Sequence, residues 1–215
     1  MKTTLDGLSN LKKESLTDRI YDEILAIILR NGQEKELLLT EGCLVEKFGV
    51  SKAPVREALI RLCNENVLRC LPRCGYMVVQ MGEKEAREVT EIRVLLETEA
   101  LRAGFENIVS SHLEEIRQQI EKKEADETVG DTWRIWEENA AFHLLLASFA
   151  GNQTLNRFLK ESLQMQKRIC AQLHCNCLYT VEKECGAAPH RKVYEALCQR
   201  DLEKSVRTLQ EDIRT

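Results

Sequence analysis

Lys52 and Arg56 stand four residues apart, directly after Ser51, and this spacing puts two cations on one face of a helix. A guanidinium presented this way can donate two parallel hydrogen bonds to guanine O6 and N7. An ammonium can do the same less rigidly, or hold a phosphate. Ser51 lies at the positive end of the same helix. The competing reading is a pair of ordinary solvated charges. Arg93 and Glu97 share the same spacing, which suits a salt bridge within a helix. A third group is sulfur-rich: Cys170, Cys175, Cys177 and Cys185 surround His174. Soft ligands at short spacing can bind metal or sense oxidants, but these intervals match no common zinc or iron–sulfur pattern.

The elements that must position Lys52 and Arg56 are legible around them. Leu16 to Leu29 carries Leu16, Ile20, Ile24, Ile27 and Ile28 at helical spacing, and Asn31-Gly32 ends it. Thr40 can cap a second helix running through Phe48, with Leu44, Val45 and Phe48 inward. Gly49 supplies the positive φ that a tight helix–helix turn needs. Ser51 then caps a third helix, whose first turn tolerates Pro54 and whose buried stripe is Val55, Leu59 and Leu62. Val67 to Leu71 and Tyr76 to Gln80 read as strands joined by Pro72-Arg73-Cys74-Gly75. Helix, turn, helix and hairpin in that order make a winged helix-turn-helix, and together they favour the DNA-reading alternative for Lys52 and Arg56.

From Met81 onward the texture is helical, and helices are expected over 83–103, 111–126, 132–149, 153–174, 189–199 and 201–213. Breaks fall at Gly104, Gly130-Asp131, Gly151-Asn152 and Cys175 to Ala188. The domain boundary is expected near Gln80 to Glu83, dividing the chain into 1–80 and 81–215. The fold class is mainly α, a winged helix-turn-helix followed by an antiparallel all-helical bundle.

Composition bounds the function. The 215 residues carry a net charge of −4, too acidic overall for a general nucleic-acid binder. Charge is instead local: between Lys47 and Arg73 the cations are Lys47, Lys52, Arg56, Arg61, Arg69 and Arg73, against only Glu57 and Glu65. A basic patch on an acidic body suits a protein that touches phosphate with one domain. A polar N-terminus and the lack of any long apolar run exclude a secretory signal and a membrane span, so a cytoplasmic location is expected. There, the 9 cysteines are expected as free thiols or ligands rather than disulfides. No nucleophile motif, phosphate loop or zincin signature accompanies the histidines, which argues against an enzyme.

Glu41-x-x-Leu44, then Phe48-Gly49-Val50-Ser51-x-x-Pro54-Val55-Arg56-Glu57-Ala58-Leu59-x-x-Leu62, then Gly75, resembles the DNA-binding domain of GntR-family transcriptional regulators over about residues 16–80. Lys52 and Ala53 stand where that family usually has Arg and Thr, which bears on the operator sequence and not on DNA binding. The resemblance implies that Gly75 lets the wing approach the minor groove. Ser51, Lys52, Ala53, Arg56, Arg61, Arg73 and Gly75 are the expected DNA-binding set.

Glu91-x-Arg93-x-x-x-Glu97, Asn139-x-x-Phe142-His143, Gly151-Asn152, His190 and Asp201 are similar to the FCD domain of the FadR-type subfamily over about residues 83–213. That resemblance implies a helical bundle that dimerises, binds a small carboxylate effector and often holds one divalent metal through an Asp and three His. Carried onto this chain, the ligand positions are Asn139, His143, His190 and Asp212, with Asn replacing Asp and Asp replacing the last His. Two imidazoles, a carboxylate and an amide can hold zinc or a similar ion. The alternative is two neutral core histidines satisfied by Asn139 and Asp212. Arg93, Asn139, His143 and His190 are the expected effector contacts.

The reading is a homodimeric, ligand-responsive regulator of double-stranded operator DNA that senses a small organic acid. The alternatives are a cysteine-based redox or metal sensor, and a metal-dependent hydrolase.

Overall fold

The computed structural model of the chain describes residues 15–31, 36–125, 132–173 and 187–214. The chain divides into two compact units, Met1–Gln80 and Met81–Thr215. The expected N-terminal arm and the Gly130-Asp131 break lie outside the described residues. So do His174, Cys175, Cys177 and Cys185.

The first unit begins with α1 (Leu16–Arg30), started by a capping box in which Ser15 Oγ accepts from Asp18 N and the Asp18 carboxylate accepts from Ser15 N. β1 (Leu38–Leu39), α2 (Glu41–Phe48), α3 (Lys52–Asn64), β2 (Leu68–Leu71) and β3 (Gly75–Val78) follow. Thr40 caps α2 by accepting from Cys43 N, and Gly49 ends it in the left-handed region at φ 64°. Ser51 occupies the N-cap of α3 with extended backbone, but its hydroxyl makes no cap hydrogen bond, contrary to the expectation.

The wing is three-stranded, in the order β1-β3-β2, with both pairings antiparallel. The sequence patterning had no place for β1, a two-residue strand whose only signal is its pairing with Tyr76 and Met77. Gly75 is needed within this sheet. At φ +136° a Cβ there would sit 2.5 Å from the Leu39 carbonyl oxygen, so the close approach it permits is to β1. Ile20, Ile24, Ile28, Leu44, Val55, Leu59, Leu62 and Val78 form the core. Leu16, the first apolar position of α1, is 48% exposed.

The second unit contains α4 (Glu83–Gly104), a 3₁₀ turn (Phe105–Asn107), α5 (Ser110–Ala125), α6 (Thr132–Ser148), α7 (Gln153–Leu173), α8 (Ala187–Cys198) and α9 (Leu202–Arg214). Among the described residues this unit is wholly helical. α4 packs against α6, α7 and α9, while α8 packs against α5 and α9. Gly104 permits the end of α4 to meet the end of α6, since a Cβ there would lie 2.7 Å from Ala150 N. Phe142, Leu101, Ile116, Ile120, Val193, Leu197 and Leu209 fill the centre. Side chains of this size each stabilise the fold by about 1.5–3 kcal/mol on burial. No described helix is long and apolar enough to cross a membrane.

Candidate functional site

The first candidate surface is the start of α3. Ser51, Lys52, Ala53 and Arg56 are exposed, while Val55 and Leu59 turn into the core. Arg56 is not a loose charge. Its Nε donates to Glu41 Oε1 at 3.0 Å and its Nη2 to Glu41 Oε2 at 3.0 Å. Tyr76 of β3 also donates its hydroxyl hydrogen to Glu41 Oε1, at 3.2 Å. The hydrogen bond and charge of Arg56 hold the Glu41 carboxyl below its ordinary value, with Tyr76 and Lys52 adding to the effect. Burial, then the Glu41 bond, pushes the Tyr76 phenol up.

Arg61 separates from this set. Five residues past Arg56, it lies about 140° around the helix. There it pairs with Asp18 and Glu65, each at 3.1 Å, and sits 4.0 Å from the centre of the Tyr21 ring. It braces α3 against α1 while remaining exposed, on a different face of the helix from Arg56. Arg73 is exposed at the hairpin tip in the left-handed region at φ 66°. Positive φ is uncommon for residues other than glycine.

The second candidate is a polar cluster inside the bundle. Arg93 and Glu97 of α4, His143 of α6, His190 of α8 and Asp212 of α9 meet where the surroundings are apolar. Arg93 Nε donates to Glu97 Oε1 at 2.8 Å, and Nη1 donates to Gln166 Oε1 of α7 at 2.5 Å. Arg93 Nη2 is also 2.8 Å from Glu97 Oε1 but not aimed at it, so it is a buried donor without a directed acceptor. The other Glu97 oxygen meets His143 Nδ1 at 2.5 Å, and His190 Nδ1 meets Asp212 Oδ2 at 2.8 Å. The two imidazoles are edge to face with centroids 5.4 Å apart, and Phe142 stacks on His190 at 3.9 Å. Burial raises the Glu97 and Asp212 carboxyls. The neighbouring His143 and Arg93 more than offset this for Glu97, and for Asp212 the His190 hydrogen bond together with the charges of His190, His143 and Arg93 does so, so both end below their ordinary values.

His143, His190 and Asp212 each offer a ligand atom, and these atoms lie within 4.8 Å of one another. Tetrahedral zinc with bonds of about 2.1 Å needs separations of about 3.3 Å, so small side-chain movements close the set. The Glu97 carboxylate on His143 Nδ1 matches the support that metal-bound histidines receive. The donor set therefore fits a borderline divalent ion. Asn139 lies one turn before His143 on α6 and is half-buried.

Sequence reasoning had paired Glu97 with Arg93 alone and missed its bond to His143, as it missed Gln166 and the Phe142 stack. The only sequence signal for Glu97 was its place in the α4 motif. Glu41 and Tyr76 were likewise not assigned to the α3 surface. Cys170 is buried among apolar side chains, and burial raises the Cys63 thiol above its ordinary value, with Cys70 nearby adding to it. Both features oppose thiolate reactivity.

Two family descriptions match the chain: bacterial regulatory proteins, gntR family, over residues 16–78, and FCD domain over residues 88–215. The HTH-type transcriptional regulator McbR of Escherichia coli (strain K12) is 29% identical over 142 residues, 66% of this chain and 64% of that protein. The gluconate operon transcriptional repressor of Bacillus licheniformis is 36% identical over 124 residues, 54% of this chain and 51% of that protein. The chain thus spans between half and two thirds of the length of these relatives. The solved structure of E. coli McbR/YncC superposes with a TM-score of 0.73 at 25% identity, covering 93% of this chain and 94% of that one.

Proposed function

The chain belongs to the GntR family of bacterial regulatory proteins and carries an FCD domain, and from that premise we propose that it acts as a homodimer on a short palindromic operator and responds to a small carboxylate held in the bundle. That it is a DNA-binding transcriptional regulator and not an enzyme follows from the family. The dimer, the effector class and the metal are our reading. Two-fold pairing doubles the few base pairs that one α3 can read.

The observation that carries the effector reading is the buried Arg93 Nη2, a cationic donor without a directed acceptor, beside the glutamate that also binds His143. A carboxylate satisfies such a donor. His143, His190, Asp212 and Asn139 are the residues that would hold a divalent ion, which when bound supplies a positive charge to an anionic ligand. Glu97 holds the His143 imidazole plane in place for either role. A ligand changes DNA affinity only if it binds two arrangements of the protein unequally.

A thermal-shift screen of mono- and dicarboxylates on the full chain tests this. Sugar acids belong in the screen because a relative is named for a gluconate operon. A true effector raises the melting temperature of wild type, raises that of Arg93→Lys less, and shifts affinity for a duplex selected from a random pool. An acid that stabilises both proteins equally places the ligand elsewhere. Elemental analysis should find up to one divalent ion per chain, lost in His143→Ala and His190→Ala and held more tightly in Asn139→Asp.

A further inference from the structure

We infer that Glu41 is a positioning residue for DNA reading, holding the guanidinium of Arg56 by its side edge so that only the end edge faces outward. The inference rests on the reading above that the start of α3 meets DNA. A guanidinium has two useful donor edges. Glu41 occupies the Nε–Nη2 edge with two bonds of 3.0 Å. What remains is the Nη1–Nη2 edge, which has the two-donor spacing that matches O6 and N7 of guanine.

Several observations separate this from an incidental surface pair. Glu41 comes from the first turn of α2 and Arg56 from α3, so the bond crosses the helix–turn–helix instead of joining neighbours on one helix. Glu41 is itself held: Tyr76 of β3 donates to the same Oε1 that accepts from Arg56 Nε. Its side chain is only 23% exposed, while that of Arg56 is 60% exposed. The fixed, half-buried partner therefore belongs to the scaffold and the exposed partner to the surface. Tyr76 pairs with Leu39 and Cys70 across the sheet, which ties the orientation of Arg56 to the wing. A freely rotating arginine would contact any nearby phosphate. One held at its side edge loses less freedom on meeting a base and discriminates among bases more sharply.

Glu41 also places a negative charge beside the DNA-facing surface, which weakens contact with phosphate of any sequence. The two effects act in opposite directions on two measurable quantities, so they can be told apart. In Glu41→Gln the side-chain amide can accept only one of the two bonds, and its own NH₂ opposes the other.

The test uses full-length wild type, Glu41→Gln, Arg56→Ala and the double variant, each with a random-sequence 30-base-pair duplex pool. Base preference is read by selection and sequencing, and overall affinity for the unselected pool by titration at fixed salt. Glu41→Gln should bind the unselected pool about two- to fivefold more tightly. It should lose roughly tenfold of preference at the one base pair per half-site where Arg56→Ala also loses it. Glu41→Gln should add no further loss in the Arg56→Ala background. Melting temperatures near wild type exclude a folding defect. Unchanged preference in Glu41→Gln beside an altered Arg56→Ala overturns the positioning role. A Glu41 effect that persists without Arg56 overturns it too. If Arg56→Ala keeps full preference, Arg56 reads no base, and both the α3 assignment and this inference fail.

Discussion

Each unit contains an arginine–glutamate pair built from the same chemistry, and solvent gives the two pairs different roles. Arg56 and Glu41 lie at the surface, with side chains 60% and 23% exposed, whereas Arg93 and Glu97 are 3% and 2% exposed. Water screens the first pair and can replace either partner, so it contributes little to stability and is free to serve recognition. The second pair has no water to fall back on. Its charges must be mutually satisfied, and each leaves an uncompensated charge in the core if the other is removed. A surface pair is therefore a poor guide to folding and a good guide to binding, while a buried pair reports on both.

The largest expected effect lies in the buried pair. Arg93→Ala or Glu97→Ala should destabilise the bundle by about 3–5 kcal/mol, as truncating one member of a buried ion pair does. The double change Arg93→Met with Glu97→Leu should recover part of that loss. Urea unfolding of the full chain measures it, and single variants that unfold like wild type would show that the pair is solvated.

Arg56→Ala should do the reverse. Its melting temperature should stay near wild type, while affinity for a selected operator falls on the order of ten- to a hundredfold. A gel-shift titration at fixed salt checks this, with Lys52→Ala giving a smaller loss.

Acid separates the two pairs next. The Glu97, Asp212 and Glu41 carboxyls all lie below their ordinary values of 4.5, 3.8 and 4.5. A carboxyl depressed by folding contributes stability that is complete above its unfolded value and is lost as pH falls through its folded value. Melting curves with chelator between pH 7 and 3 should fall on the acid side. Glu97→Gln should flatten that fall, and Glu41→Gln should leave it nearly unchanged. Equal flattening by both would deny the role assigned to burial.

The smallest effect belongs to Arg61. Its side chain is 49% exposed, so removing its ion pairs in Arg61→Ala should cost no more than about 1 kcal/mol. Operator preference should not change. A loss of preference equal to that of Arg56→Ala would return Arg61 to the DNA-facing set.

Local signals were legible where a short motif determines its own geometry. Gly49 at positive φ, Thr40 as a cap and the Val55, Leu59 and Leu62 stripe all follow from neighbours in sequence, and the helical boundaries of the second unit follow from periodicity. β1 was not legible, because two leucines acquire strand character only by pairing with Tyr76 and Met77. The turn of Arg61 toward α1 depended on Asp18 and Tyr21, both some 40 residues away.

The sequence by itself determined the order of the helices and the hairpin, the division near Gln80 and the candidates Arg56, Arg93, His143, His190 and Asp212. A helix period and a residue type are local properties, and the chain carries them wherever it goes. Which partner each charge meets was decided only by tertiary structure. Glu97 could serve Arg93 on its own helix, but only the approach of α6 brings His143 to its second oxygen. Glu41 could face water, but only the approach of α3 and β3 makes it the common acceptor of Arg56 and Tyr76. Hydrogen bonds act over about 3 Å, so they report the packed arrangement of distant segments, which no single stretch of sequence specifies.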